Sequence, residues 1–356
     1  MTKAPLRVGL IGYGLAGEVF HAPVIAATPG LELVGVVTRR PEAAAKVAQR
    51  YPDATVVASA EALLAGEAGP LDLVVVATTN DSHVPLARAA IEAGVACVVD
   101  KPVAPDAASA RELDALAQER GVPLSVFQNR RWDGDFLTLR ALLDDGTLGE
   151  VRRLESRFEV YKAGATGNWR ESADPAMVGG VLFDLGAHLV DQALELCGPV
   201  THVYAEVDTR RDGVGADDDA FVALTHACGA RSHLWMSTVV GESGPRFRVL
   251  GSKAAFTSWG LDAQEPALKD GRTPDEDGWG LSERPAILTQ GTERTELPLL
   301  AGQYRELYAQ MAAAVRGEGP VPVTVESTAQ ALDVLEAART SARTGTVVEL
   351  VAEEEK

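Results

Sequence analysis

The first third of the chain alternates short apolar runs with longer amphipathic stretches. Leu6–Gly12 is an apolar run interrupted only by Arg7, the pattern of a strand buried on both faces. A glycine-rich turn follows, and a helix is expected from Leu15 to Ala27. Strands are expected at Leu31–Thr38, Thr55–Ala58, Leu71–Thr78, Cys97–Asp100 and Pro123–Phe127. The segments between them read as helices: Pro41–Arg50, with proline in the first turn, Ser59–Leu64, a stretch capped by Asp81 or Ser82 and ended by Gly94, and Asp106–Arg120. Strands alternating with helices imply a doubly wound parallel sheet with right-handed crossovers.

The rhythm changes after Gln128. A helix is expected at Phe136–Asp144. Alternating strand patterns then run at Val151–Val160, His202–Thr209, Ala220–His226, Arg231–Thr238, Arg246–Gly251 and Arg294–Leu297. Strands without intervening helices predict an open, mostly antiparallel sheet. One helix, Leu182–Cys197, interrupts them, and two more, Tyr304–Arg316 and Ser327–Arg343, close the chain. Asp262–Pro285, rich in Gly, Pro, Asp and Glu, reads as a long loop. The expected architecture is α/β: an N-terminal Rossmann domain over 1–127 and a C-terminal α+β domain over 128–356.

Composition narrows the partners. With 356 residues the chain exceeds what one core usually serves. A net charge of −18 argues against a nucleic-acid or anionic-membrane partner. No apolar run is long enough to span a bilayer. Residues Met1 to Pro5 lead straight into a strand pattern, unlike a signal peptide, so a cytoplasmic protein is expected. Cys97, Cys197 and Cys228 are scattered through apolar stretches and read as buried free thiols rather than a disulfide framework or zinc site. The acidic run Glu353–Glu355 reads as a solvated end.

The turn Gly12-Tyr13-Gly14-Leu15-Ala16-Gly17 is a G-x-G-x-x-G motif that closes a strand and opens a helix, the context that makes it a dinucleotide site. Its first glycine permits the turn, its second lets the backbone approach a pyrophosphate, and its third lets helix and strand pack closely. An acidic residue ending the second strand would bind the ribose of NAD. This chain has Thr38-Arg39-Arg40, which can hydrogen-bond and pair with a 2′-phosphate. NADP(H) is therefore the expected cofactor, with NAD(H) as the alternative.

Two features fall where ligands of open parallel sheets lie or next to them in role. Asp100-Lys101-Pro102 ends the fifth strand, and a lysine there can hydrogen-bond a substrate oxygen; it can equally be an exposed turn lysine. Asp184 and His188 are four apart on one expected helix, so they would share a face, with the carboxylate orienting a proton-shuttling ring; such pairs are more often structural. No further His or Cys lies at ligand spacing, so no metal is expected.

Gly12–Gly17 with His21-Ala22-Pro23, Asp100-Lys101-Pro102 and Asp184-x-x-x-His188 together resemble the Gfo/Idh/MocA oxidoreductases in order and spacing over nearly the whole chain. Asp100 stands where that family usually has Glu. The resemblance implies that Lys101 and His188 share proton transfer and hydroxyl binding, and that Asp184 binds a substrate hydroxyl or orients His188. It implies that Thr79, Asn80 and His83 line the cofactor site, although a helix cap and a packed histidine would explain them equally. Gln128–Asp133, Asn168–Glu171 and Gly260–Glu265 look like the NADP-dependent scyllo-inositol dehydrogenase branch. Tyr161, Trp169 and Arg170 are then candidate substrate contacts, with domain packing as the other reading. The implied activity is oxidation of a secondary alcohol on a cyclic polyol or sugar. Other sugars or a dihydrodiol, a redox-neutral cycle on tightly held cofactor, and a non-catalytic dinucleotide-binding regulator stay open. An exposed sheet face in the second domain, together with the resemblance, predicts a homodimer or homotetramer.

Overall fold

The structure, a computed structural model, describes residues 3–174 and 177–350. The acidic run Glu353–Glu355 lies outside these residues. The chain divides into two compact units that interleave in sequence. The first comprises Met1–Trp132, Ala263–Gly280 and Gln303–Ala329; the second comprises Asp133–Asp262, Leu281–Gly302 and Gln330–Lys356. The sequence pattern predicts a single boundary, at residue 127.

The first unit is built on six parallel strands: β1 (Leu6–Ile11), β2 (Leu31–Val37), β3 (Thr55–Val57), β4 (Leu73–Val76), β5 (Ala96–Val99) and β6 (Leu124–Val126). Their order is β3-β2-β1-β4-β5-β6, the doubly wound arrangement whose switch point falls between β1 and β4. The apolar runs explain it: all four residues of β4 and of β5 are buried, as strands covered on both faces require. Helices α2 (Pro41–Arg50), α3 (Ala60–Leu64), α4 (His83–Glu92) and α5 (Ala107–Arg120) follow strands as expected.

Two local details differ from the expected pattern. The helix after the glycine turn opens as a π-helical turn, Ala16–His21, before becoming α1 (Ala22–Ala26). Wider turns of this kind recur at functional sites, and this one carries a wholly buried His21. Ser82 stands at the N-cap of α4, but its hydroxyl donates to Thr79 O and Thr78 Oγ1 and makes no capping bond to the helix.

The second unit opens with α6 (Gly134–Asp144) and holds β7 (Val151–Glu159), α7 (Val181–Asp184), α8 (Gly186–Cys197), β8 (Val200–Asp208), β9 (Asp219–His226), β10 (Arg231–Ser237), β11 (Phe247–Gly251) and β12 (Ala255–Ser258). It is completed by β13 (Ala286–Gln290), β14 (Glu293–Leu297) and β15 (Val348–Glu349). The nine strands form one sheet, antiparallel except where β10 pairs β7 in parallel. Strand β10 shows its half-buried character: Ser232, Leu234 and Met236 are buried, while Arg231, His233 and Trp235 lie on the other face. Strands β12, β13 and β15 go beyond the expected set; with four, five and two residues they are too short to show a clear alternation.

The stretch expected as a loop, Asp262–Pro285, contains a helix, α9 (Gln264–Lys269). Gln264 is wholly buried there, accepting from Tyr304 N and Trp279 Nε1 and donating to Trp132 O. Its tertiary hydrogen bonds outweigh the loop-like composition. Helix α10 (Tyr304–Val315) belongs with the first unit, and α11 (Val325–Thr344) follows it. Among the described residues no helix is long and apolar enough to cross a membrane. Cys97 and Cys197 are buried, but Cys228 is exposed, because it falls in the β9–β10 turn rather than in a strand; its thiol donates to Cys197 O.

Candidate active site

The three motif glycines are needed for different reasons. Gly12 has φ +101°, and a Cβ there would sit 2.5 Å from the Ala77 carbonyl oxygen. A Cβ on Gly17 would run into the Gly12 carbonyl oxygen. Both positions are therefore glycine for the protein's own packing. Gly14 is not: a Cβ there would have no atom within 4 Å. The protein leaves that side of the turn open, beside an exposed Leu15 and next to Ala16, at the head of the helical segment. This is the cradle a side chain would fill, and it fits a dinucleotide pyrophosphate approaching backbone N–H groups.

The arginines at the end of β2 behave differently from each other. Arg40 donates from Nη2 to Tyr13 O at 2.6 Å, so it is drawn onto the glycine turn, and its backbone N–H meets Thr38 Oγ1 at 3.4 Å. Arg39 is exposed, and its guanidinium has no partner among the described residues. Arg39 thus presents its charge to solvent, while Arg40 is drawn onto the turn.

Thr79 and Asn80 lie in the turn after β4, with Asn80 buried. His83 is also buried. Its Nδ1 is 2.8 Å from Pro102 O and its Nε2 3.3 Å from Thr78 O, so the ring braces the Lys101–Pro102 segment against the β4–α4 turn. Lys101–Pro102 is a cis peptide. Asp100 Oδ1 accepts the Lys101 N–H at 2.7 Å, and Asp100 Oδ2 lies 3.5 Å from His21 Nε2. Burial would raise the Asp100 carboxyl, but hydrogen bonding and charge from His21, with His83 and Lys101 nearby, hold it below the usual carboxylate range. His21 Nδ1 is in turn 2.6 Å from the Tyr308 hydroxyl, and its ring packs on Phe127. Tyr308 comes from α10, nearly the full chain away, so sequence spacing could not reveal this support for Asp100.

In the second unit, Asp184 and His188 are not on one unbroken helix. The ladder is interrupted at Leu185, so Asp184 ends α7 and His188 lies in the first turn of α8, its N–H donating to Leu185 O at 3.1 Å. The close packing of Gly186, where a Cβ would lie 3.0 Å from Met236 Sδ and 3.2 Å from Leu335 Cδ2, accompanies the break. Asp184 accepts from Arg170 Nε at 3.2 Å, and the Arg170 guanidinium lies 4.4 Å from the Trp169 ring centroid. Trp169 and Arg170, neighbours in the chain, thus form one cluster with Asp184, fourteen residues on. The two side chains are 32% and 29% exposed, so a donor edge and a carboxylate lie side by side at the surface. His188 is buried, and Tyr161 is 67% exposed with its backbone bridged to Val239. Glu171 of the Asn168–Glu171 motif supports this cluster together with Arg211, Asp217 and Asp218, which the sequence does not single out; three consecutive acids at the mouth of β9 are the available signal.

A family model described as an oxidoreductase family with an NAD-binding Rossmann fold matches residues 6–128, and one described as a GFO/IDH/MocA C-terminal domain matches residues 136–257. The chain is 42% identical to the uncharacterized oxidoreductase YdgJ of Escherichia coli, over 95% of this chain and 96% of that one. It is 33% identical to IolW of Bacillus subtilis, a scyllo-inositol 2-dehydrogenase (NADP(+)), over 95% and 94%. The solved structure of the oxidoreductase yvaA from Bacillus subtilis superposes with a TM-score of 0.91 at 32% identity, covering 99% of this chain and 100% of that one.

Proposed function

The chain belongs to the Gfo/Idh/MocA family of NAD(P)-binding oxidoreductases, and from that premise we propose that it interconverts a secondary alcohol and a ketone on a cyclic polyol or sugar, with NADP(H) preferred and scyllo-inositol as the leading substrate. The observation that carries the polyol reading is the Trp169–Arg170–Asp184 cluster: an aromatic face beside a donor and an acceptor suits an uncharged ring bearing hydroxyls. The IolW relationship supports the substrate. The unpartnered Arg39 and the absence of an acidic residue at the end of β2 support NADP over NAD.

Gly12–Gly17, Thr38, Arg39 and Arg40 would hold the dinucleotide, with Thr79, Asn80, His83 and Lys101 beside it. When bound, the nicotinamide supplies the hydride chemistry. Lys101 and His188 are the proposed groups that take the hydroxyl proton, and Asp184 with Arg170 would hold neighbouring hydroxyls. With a lysine and a histidine as acceptors, oxidation should rise with pH. We also propose a homodimer or homotetramer, supported by the sheet face on which Phe221, His233 and Trp235 stack and Arg157 lies 3.9 Å from the Trp235 ring centroid. Three unpaired cysteines suit a reducing, cytoplasmic setting.

The test is NADPH formation by the purified protein with scyllo-inositol beside myo-inositol, glucose and xylose, and with NAD in parallel. Turnover of scyllo-inositol with NADP and little with NAD is the expected result. Turnover of another sugar overturns the substrate; equal use of NAD overturns the cofactor preference. Cofactor binding without turnover on any of them would point to a regulator.

A further inference from the structure

The segment carrying Trp169 and Arg170 has no regular structure beyond one short 3₁₀ turn. A loop of that kind opens easily unless something ties it down, yet hydroxyl recognition needs its groups placed to a fraction of an ångström. The ties are polar, buried and continuous.

Glu171 is their first member. Its Oε2 accepts from Thr166 N at 2.7 Å, Thr166 Oγ1 at 3.1 Å and Gly167 N at 3.1 Å, folding the loop onto itself. Its Oε1 faces Arg211 Nη1 at 3.2 Å. Burial would raise the Glu171 carboxyl, but the Thr166 hydrogen bonds and the Arg211 charge outweigh it and hold the group ionised below its ordinary range. Arg211 spreads its remaining donors between Gly164 O at 2.8 Å and Asp218 Oδ2 at 3.0 Å. The side chains of Arg211, Glu171 and Asp218 are only 9%, 10% and 1% exposed, so these are not solvated surface pairs.

The circuit then returns to the catalytic candidates. Asp217, the neighbour of Asp218, accepts from Leu182 N through Oδ2 at 2.7 Å and from Val181 N through its backbone oxygen at 3.0 Å, capping α7, which ends in Asp184. Gly180, with φ +90°, passes so close that a Cβ would overlap the Asp217 carboxylate. The Gly180 N–H donates to Arg170 O at 2.8 Å. The Arg170–Asp184 pair closes the ring of contacts.

We propose that Arg211 is a positioning residue which, through Glu171 on one side and Asp218 on the other, holds the Arg170–Asp184 pair in the arrangement that reads substrate hydroxyls. The inference rests on Arg170 and Asp184 being substrate contacts. Arg211 itself touches no substrate. Its planar guanidinium reaches three acceptors at once, which a lysine ammonium on a flexible stem reproduces only in part.

The experiment uses the full chain in wild-type, Arg211→Lys, Arg211→Gln and Glu171→Gln forms. Glu171→Gln keeps the shape and loses the charge, so it stands in if Arg211→Gln fails to fold. Hydrogen exchange, resolved by mass spectrometry over residues 163–174, is measured without substrate. Steady-state kinetics are measured with the polyol that the wild type turns over best. The expected result is that exchange of these amides accelerates at least tenfold in Glu171→Gln. The polyol KM should rise at least tenfold with a smaller change in kcat, and the NADP KM should stay within twofold. Arg211→Lys should lie between wild type and Arg211→Gln in both readouts. Unchanged exchange overturns the clamp. Faster exchange with an unchanged polyol KM, or with polyol and NADP KM rising together, overturns its role in substrate positioning. A wild type that turns over no polyol instead sinks the proposed function, and exchange alone then decides the clamp.

Discussion

Gly14→Ala should abolish much of the dinucleotide affinity and leave folding untouched, because the added methyl meets nothing in the protein within 4 Å. Gly14 is also outside the left-handed backbone region. Its folded state should therefore be as stable as the wild type, or about 0.4–1 kcal/mol more stable through the lost freedom of the unfolded chain. The cost falls on the ligand. A Cβ at the cradle displaces a phosphate from at least one backbone N–H, and such a charge-assisted hydrogen bond contributes about 1.5–3 kcal/mol, or roughly a 10- to 150-fold rise in Kd.

Gly12→Ala is the control with the opposite signature. There the methyl enters a backbone at φ +101° and lies 2.5 Å from the Ala77 carbonyl oxygen. The Ala77 peptide cannot readily retreat, since its N–H is bonded to Ile11 O at 2.8 Å. Left-handed strain of about 1–2 kcal/mol and overpacking of about 1–3 kcal/mol add to a loss of about 2–5 kcal/mol in stability. The assay pairs NADPH titration by calorimetry with urea unfolding, fitted transition by transition because the chain has two compact units. A Gly14→Ala protein that binds NADPH within twofold of wild type would refute the assignment of this turn as a pyrophosphate cradle.

Arg39→Ala should raise the NADPH KM at least tenfold with little effect on NADH, whereas Arg40→Ala, which also frees the Tyr13 carbonyl, should weaken both; equal losses for both cofactors in Arg39→Ala would remove it from phosphate recognition. Lys101→Ala and His188→Ala should each lower turnover by roughly 10²–10⁴-fold, and near-wild-type turnover in either removes that residue from proton transfer. His226 is buried, its Nδ1 donating to Gly198 O and its Nε2 accepting from Ser232 Oγ; burial lowers its pKa against the smaller opposing effect of the Gly198 hydrogen bond. Below about pH 6.5 the unfolded chain therefore binds a proton the folded one refuses, so stability falls as pH drops from there. Urea midpoints at pH 7.5 and 5.5 should differ less in His226→Gln than in wild type, and an identical difference would exclude this group.

The parallel core was legible in the chain because strands buried on both faces must be apolar throughout, and β4 and β5 are. The glycine turn was legible because steric demands at Gly12 and Gly17 admit no other residue. The same holds for Lys101 and His188 as candidates, since their chemistry is carried by residue type. What spacing could not give was partnership. Helical periodicity put Asp184 near His188 but could not show that Arg170, fourteen residues earlier, donates to Asp184. Likewise a composition typical of loops concealed α9, whose Gln264 is held by bonds to Trp132, Trp279 and Tyr304.

Local pattern, then, determined most of the strands and helices and which residues carried usable chemistry, because burial and backbone sterics act on each position where it stands. Tertiary structure alone decided that Tyr308 supports His21 and Asp100, and that Arg211 and the Asp217–Asp218 pair govern the loop of Trp169 and Arg170. Charges and hydrogen bonds act through space over a few ångströms, and only the folded chain brings residues dozens or hundreds of positions apart to that distance.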